Sequence, residues 1–217
     1  MSESPKEMVG YPVNRGIEEY AEAFGMDKNG MLKWLGSKSR VLDISAGGSL
    51  LRKETDILKK QGEFTSDVKI IPLDILYATK PGLDFAKYAT HLAFTHIGVK
   101  PTKSFISEIN DEFTKDAVGA SFTDLPFPNK SFDGILASYS FGVHARDKKQ
   151  MLEAFDETYR VLTPGGEALI SVVFDMNKDV FGIYNKENGF TYSLDDLMLD
   201  KVKLKRSGGH SFLQIKK

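Results

Sequence analysis

Apolar residues change spacing along this chain in a regular order, and the order predicts its elements. Ile17 to Phe24 and Gly30 to Leu35 carry helical spacing and predict two short helices ahead of a first strand. Val41, Leu42 and Ile44 form a compact apolar run that reads as a buried strand over 40–44, with Asp43 breaking it one residue before the turn. Leu50 to Gln61 predicts a helix, and 68–74 a second strand that ends on Asp74, an acid expected at an exposed strand end. Residues 79–116 read as helical in two pieces, divided near Gly98 and Pro101. Third and fourth strands are predicted over 117–121 and 134–138. From Lys148 to Leu162 the residues Met151, Leu152, Phe155, Tyr159 and Leu162 fall on one helical face. Thr163-Pro-Gly-Gly166 should stop that helix, and Ala168 to Phe174 is a nearly all-apolar fifth strand. Residues 202–206 and 211–215 alternate around Ser207-Gly-Gly209, the signature of a hairpin.

Strands that alternate with helices imply an α/β fold with a mostly parallel sheet covered on both faces, closed by a C-terminal antiparallel hairpin. At 217 residues, without internal repeat, low-complexity tract or linker, one domain over 1–217 is expected: a helical lead-in at 1–39 and a core at 40–217.

Composition narrows the class. With 29 basic and 30 acidic residues the net charge is −1, which gives no electrostatic case for nucleic acid. The absence of cysteine removes disulfides, thiolate nucleophiles and thiolate-ligated zinc. No stretch reaches membrane-spanning length, and the polar N-terminus has no signal-peptide core, so a cytoplasmic protein is expected. His91 and His96, five apart on a predicted helix, point in different directions and make no metal pair; no metal site is expected.

Ser45-Ala-Gly-Gly-Ser49 follows the first strand and leaves the backbone almost bare, with Leu50 and Leu51 opening a helix. A ligand can lie against main-chain N–H groups there, at a helix N-terminus with partial positive charge. Four segments in order then resemble the class I S-adenosylmethionine-dependent methyltransferases, in particular the small type related to ubiquinone-biosynthesis enzymes. They are Val41-Leu-Asp-Ile-Ser-Ala-Gly-Gly-Ser49, Ile70-Ile-Pro-Leu-Asp74, Ser121-Phe-Thr-Asp-Leu-Pro-Phe-Pro-Asn-Lys-Ser-Phe-Asp133 and Tyr159-Arg-Val-Leu-Thr-Pro-Gly-Gly166. The resemblance implies a Rossmann-like, doubly wound sheet of seven strands, S-adenosyl-L-methionine as cofactor, and a small-molecule methyl acceptor. Serines stand at Ser45 and Ser49 where the family carries glycine, and Ser121 replaces the usual adenine-binding aspartate. A serine adds a Cβ where the ligand approaches and offers a neutral hydrogen bond in place of a charged one.

By the same resemblance, Asp43, Ser45, Ala46 and Gly47 face the cofactor, Gly47 lying against its methionine part. Asp74 takes the ribose hydroxyls, and Ile75, Ser121 and Phe122 surround the adenine. Ser138 ends the fourth strand, where ligands of open α/β sheets bind. Tyr139 and His144 just beyond it are candidate catalytic groups toward the acceptor, His144 because it can take a proton near neutral pH. The residues alone leave blander roles open: turn acids at Asp43 and Asp74, core packing at Ile75, a strand end at Ser121, a helix cap at His144, and an N-terminal charge for a short helix at Asp195 and Asp196.

Two rivals follow from the same residues. The serine substitutions suit a non-catalytic binding module with a weakened cofactor site. A nicotinamide-dependent oxidoreductase shares the opening strand, loop and helix, but the loop lacks the Gly-x-Gly-x-x-Gly spacing.

Overall fold

A computed structural model describes residues 15–47, 49–78, 117–138, 148–171, 173–175, 180–183, 190–192, 202–207 and 210–217. The chain runs through α1 (Ile17–Ala23), α2 (Lys28–Gly36), β1 (Arg40–Ile44), α3 (Leu50–Gln61), β2 (Lys69–Leu73) and a 3-10 turn (Ile75–Ala78). It continues with β3 (Phe132–Ser138), α4 (Lys148–Val161), β4 (Leu162–Ser171), β5 (Val173–Asp175), β6 (Val180–Ile183) and β7 (Phe190–Tyr192). The hairpin β8 (Val202–Ser207) and β9 (His210–Lys216) closes it.

The main sheet has six strands in the order β2-β1-β3-β4-β9-β8. The pairs β1–β2, β1–β3 and β3–β4 are parallel, and β9 adds antiparallel to β4. The third strand expected at 117–121 is reduced to one parallel bridge, Leu73 to Val118, so only a single residue stands in the seventh position, at the β2 edge. The rest of that segment turns away at Ser121, whose carbonyl accepts from Asp124 N at 3.2 Å.

Both faces of the sheet are covered, as its strand sequences require. Leu42, Ile44, Ile71, Leu73, Ile135 and Ala137 form one core with Met151, Ala154 and Phe155 of α4. Val41, Ile70, Leu136 and Leu169 form the other with Ile17, Tyr20, Met31, Leu35 and Leu51 of the first three helices. Alternation along each strand sends neighbours to opposite cores. It therefore puts Asp43 on the α1 side, two residues beyond Val41.

Two further expectations change. The stop at Thr163–Gly166 is absorbed into β4, where the pairing with β3 shifts register between Phe132 and Gly134 and Gly165 takes φ +78°. The expected fifth strand over 168–174 is divided: β4 ends at Ser171, and Val173–Asp175 starts a separate antiparallel sheet, β5-β6-β7. No helix among the described residues is long and apolar enough to cross a membrane.

Candidate functional site

The carboxyl ends of β1, β2 and β3 lie side by side, where open α/β sheets receive ligands. From Ile44 the chain enters the small-residue loop, and Ser45, Gly47 and Ser49 take φ of 59°, 53° and 57°. This left-handed backbone is ordinary for glycine and costs other residues roughly 1–2 kcal/mol each. The loop is pinned at several points. Ala46 N donates to the Leu73 carbonyl at 3.2 Å, and Ser49 N donates to the Ala46 carbonyl at 2.8 Å.

Asp74 is not the exposed strand-end acid that the sequence suggested. It is 9 % exposed, and its Oδ2 accepts the Gly47 amide at 3.0 Å. The second strand's acid and the first strand's loop are thereby joined into one structure. Three residues on, Tyr77 Oη lies 2.7 Å from the Gly47 carbonyl and 3.0 Å from Ser49 Oγ.

Asp43 is 1 % exposed and accepts a hydrogen bond from the Tyr20 hydroxyl of α1. Burial raises its pKa; the Tyr20 bond and the Arg15 charge oppose that, Asp74 adds to it, and the result is about 7. Burial and the Asp43 carboxylate hold the Tyr20 phenol well above its ordinary value. Arg15 Nη1 donates to the Ser138 carbonyl at 2.9 Å, so the start of α1 reaches the end of β3. Ser138 itself is 2 % exposed, and its hydroxyl has no hydrogen-bond partner among the described residues.

The segment at 117–122 is drawn to the same edge. Asp74 N donates to the Val118 carbonyl at 3.1 Å and Val118 N to that of Pro72 at 3.0 Å. A Cβ on Gly119 would stand 2.4 Å from Ala78 N, so only glycine permits this approach to the turn opened by Ile75. Ser121 uses its hydroxyl locally, 2.8 Å from Thr123 Oγ1 and 3.2 Å from Thr123 N, while Phe122 packs on the α4-side core. Tyr139 and His144 lie outside the described residues, as do His91, His96, Asp195 and Asp196.

The Leu-Pro-Phe-Pro stretch proves to be an anchor for the sheet's other end. Arg160 of α4 donates to the Leu125 carbonyl at 2.8 Å, the Phe127 carbonyl at 2.7 Å and Asn129 Oδ1 at 2.9 Å. Glu157 accepts Leu125 N at 2.8 Å. Its pKa is lowered, first by the Arg160 bond. Asp133 accepts the amides of Ser39 and Arg40, both at 2.8 Å, ahead of β1. The third and fourth sequence motifs are thus one hydrogen-bonded unit.

Sequence reasoning overlooked Arg15, Tyr20 and Tyr77. Tyr20 sits on an apolar helical face and reads as core, which it also is; its hydroxyl partner lies 23 residues away. Tyr77 had one signal available, its position three residues after the acid.

Residues 81–170 match the family model described as a methyltransferase domain. The fold is shared with the PH0226 protein of Pyrococcus horikoshii OT3, at TM-score 0.53, 15 % identity and 95 % coverage of both chains. It is shared also with a candidate S-adenosylmethionine-dependent methyltransferase of Methanococcus maripaludis, at TM-score 0.52 and 17 % identity, over 100 % of this chain and 97 % of that one. No curated protein sequence matches significantly. The chain thus matches a methyltransferase domain over residues 81–170 and shares its overall fold with these two structures.

Proposed function

We propose that the protein transfers the methyl group of S-adenosylmethionine to a small-molecule acceptor, with the cofactor lying across the carboxyl ends of β1 and β2. The observation that carries this placement is the Asp74–Gly47 bond, which brings a carboxylate and a side-chain-free backbone to one point at the sheet edge. Asp74 then takes the ribose hydroxyls, and Gly47, with Ser45 and Ala46 beside it, lets the methionine part approach the main chain. Ile75, Ser121 and Phe122 flank the adenine.

The residues present also suit the cofactor's amino-acid end. Ser138 Oγ is a buried hydroxyl with no hydrogen-bond partner among the described residues, and such groups are seldom left unsatisfied in a finished site. Asp43, when ionised above about pH 7, and Arg15 bring opposite charges to the same region, the pairing that an α-amino acid presents in mirror image. Tyr139 and His144 are the groups assigned to the acceptor; His144 would remove a proton from an acceptor that starts protonated. The ubiquinone-biosynthesis-like subtype rests on the Leu125–Pro128 motif and its tie to Arg160.

Bound S-adenosylmethionine supplies a methyl group already activated on a sulfonium. The chain's own residues therefore orient donor and acceptor and keep water away, an effect of about 7–11 kcal/mol in favourable intramolecular cases. Calorimetric titration with S-adenosylhomocysteine tests the reading. Saturable binding is expected, weakened about ten- to a hundredfold by Asp74→Ala through loss of charge-assisted hydrogen bonds. No binding at millimolar ligand, or binding of NADH in its place, would overturn it.

A further inference from the structure

The turn that follows β2 grips a single loop residue from both sides. Asp74 accepts the amide of Gly47 at 3.0 Å, and Tyr77 reaches its carbonyl at 2.7 Å. Asp74 and Tyr77 are themselves tied, Tyr77 N donating to the Asp74 carbonyl at 3.1 Å. Ser49 Oγ completes the contact 3.0 Å from Tyr77 Oη.

The protons on this bridge have one arrangement. A carbonyl only accepts, so the single Tyr77 proton goes to Gly47, and Ser49 must donate to Tyr77. Burial also raises the Tyr77 pKa well above its ordinary value, which keeps that proton in place. Ser49 is 2 % exposed, takes a left-handed backbone at φ 57°, and makes no side-chain cap to α3, the helix it precedes. Glycine would relieve its backbone, but glycine has no hydroxyl to give Tyr77. The serine at this family glycine position therefore has a use that its strain alone conceals.

We propose that Tyr77 is a positioning residue: by bridging Ser49 and Gly47 it holds the 45–49 loop in the form that receives the cofactor. The role rests on the methyltransferase reading above. It acts on the cofactor through Gly47, whose two peptide groups are fixed in direction by the 74–77 turn.

The test compares the parent, Tyr77→Phe, Ser49→Gly and the double variant by S-adenosylhomocysteine dissociation constant and urea midpoint. The Gly47 amide resonance is followed in the ligand-free proteins. Tyr77→Phe should weaken binding about tenfold, the scale of two ordinary hydrogen bonds, and move the Gly47 amide. Ser49→Gly should weaken binding about threefold while its urea midpoint holds or rises, opposite signs that a purely structural role does not produce. The double variant should bind no worse than Tyr77→Phe, because both changes break one bridge. If Tyr77→Phe does not fold, Ser49→Gly decides alone, since its affinity must fall in a protein at least as stable. Unchanged or tighter binding by either variant overturns the proposal, as do effects of the two changes that multiply. A parent that binds no S-adenosylhomocysteine overturns the methyltransferase reading and this role with it, whereas a parent that binds beside unaffected variants overturns this role alone.

Discussion

Removing one hydroxyl, in Tyr20→Phe, should destabilise the protein by an amount that grows with pH. Tyr20 is 1 % exposed, so phenylalanine keeps its packing against Phe24, where the ring centroids are 6.0 Å apart. What is lost is the donor to Asp43, whose buried carboxyl titrates at about 7 against 3.8 as the ordinary value. A folded pKa raised above the unfolded one means that the native state holds the extra proton between them. The stability this gives is fully present below 3.8 and is lost as pH rises through about 7. A shift of that size is worth on the order of 4 kcal/mol across the window. Because the Tyr20 bond lowers the Asp43 pKa, phenylalanine pushes it higher still, and the charged form becomes harder to bury. At pH 5, with Asp43 neutral, the variant should lose about 0.5–1.5 kcal/mol, an ordinary hydrogen bond. At pH 8, with Asp43 ionised, the loss should reach about 1.5–3 kcal/mol. Urea unfolding of parent and variant at the two pH values measures the difference, in which all other titrations cancel. An equal loss at both pH values, or a smaller one at pH 8, refutes the assignment of the proton to Asp43.

Two further changes probe the loop and its support. Ser45→Gly should leave stability unchanged or raise it by up to about 1 kcal/mol, relief of left-handed backbone offsetting glycine's greater unfolded freedom. Cofactor affinity should hold or tighten in the same variant, and a weaker calorimetric Kd would mean that the Ser45 side chain contributes to the site. Arg160→Ala should cost about 1–3 kcal/mol in urea unfolding, since the carbonyls of Leu125 and Phe127 lose their donor. A loss below about 0.5 kcal/mol would show that the Leu125–Pro128 stretch holds itself in place.

Much of this architecture is legible in the hydrophobic pattern, because burial on two faces dictates it. The Leu50–Gln61 helix and the closing hairpin stand close to where periodicity predicts them. The boundary between β4 and β5 was hidden for a physical reason: an apolar run from Ala168 to Phe174 satisfies a buried strand in either sheet. The 117–121 segment shows the converse, where strand-like residues obtain a single bridge at Val118. Near the candidate site, the order of the motifs puts Asp43, the Ser45–Ser49 loop and Asp74 at the ends of the first two strands, and β1 and β2 do pair side by side up to Ile44 and Leu73. The partners of those residues were not legible. Tyr20 meets Asp43 across 23 residues of sequence, and Arg15 meets Ser138 across 123. Hydrogen bonds between distant elements leave no periodic trace.

The two serines at glycine positions draw these partners into one account. A loop with Ser45 and Ser49 both left-handed carries backbone strain of roughly 2–4 kcal/mol in total, and strained conformations persist only where the surroundings over-determine them. Here the surroundings are specific. Asp74 and Tyr77 hold Gly47 by its amide and its carbonyl, the Leu73 carbonyl holds Ala46, and the strand leading in is braced from α1 through the Tyr20–Asp43 bond. A glycine-rich loop takes its conformation through its own freedom, whereas this one is held in place by side chains from neighbouring elements. Rigidity imposed from outside has a consequence for binding. With the cofactor placed as proposed, less conformational entropy would remain to be lost on binding, so the serines need not weaken the site in proportion to the space they occupy.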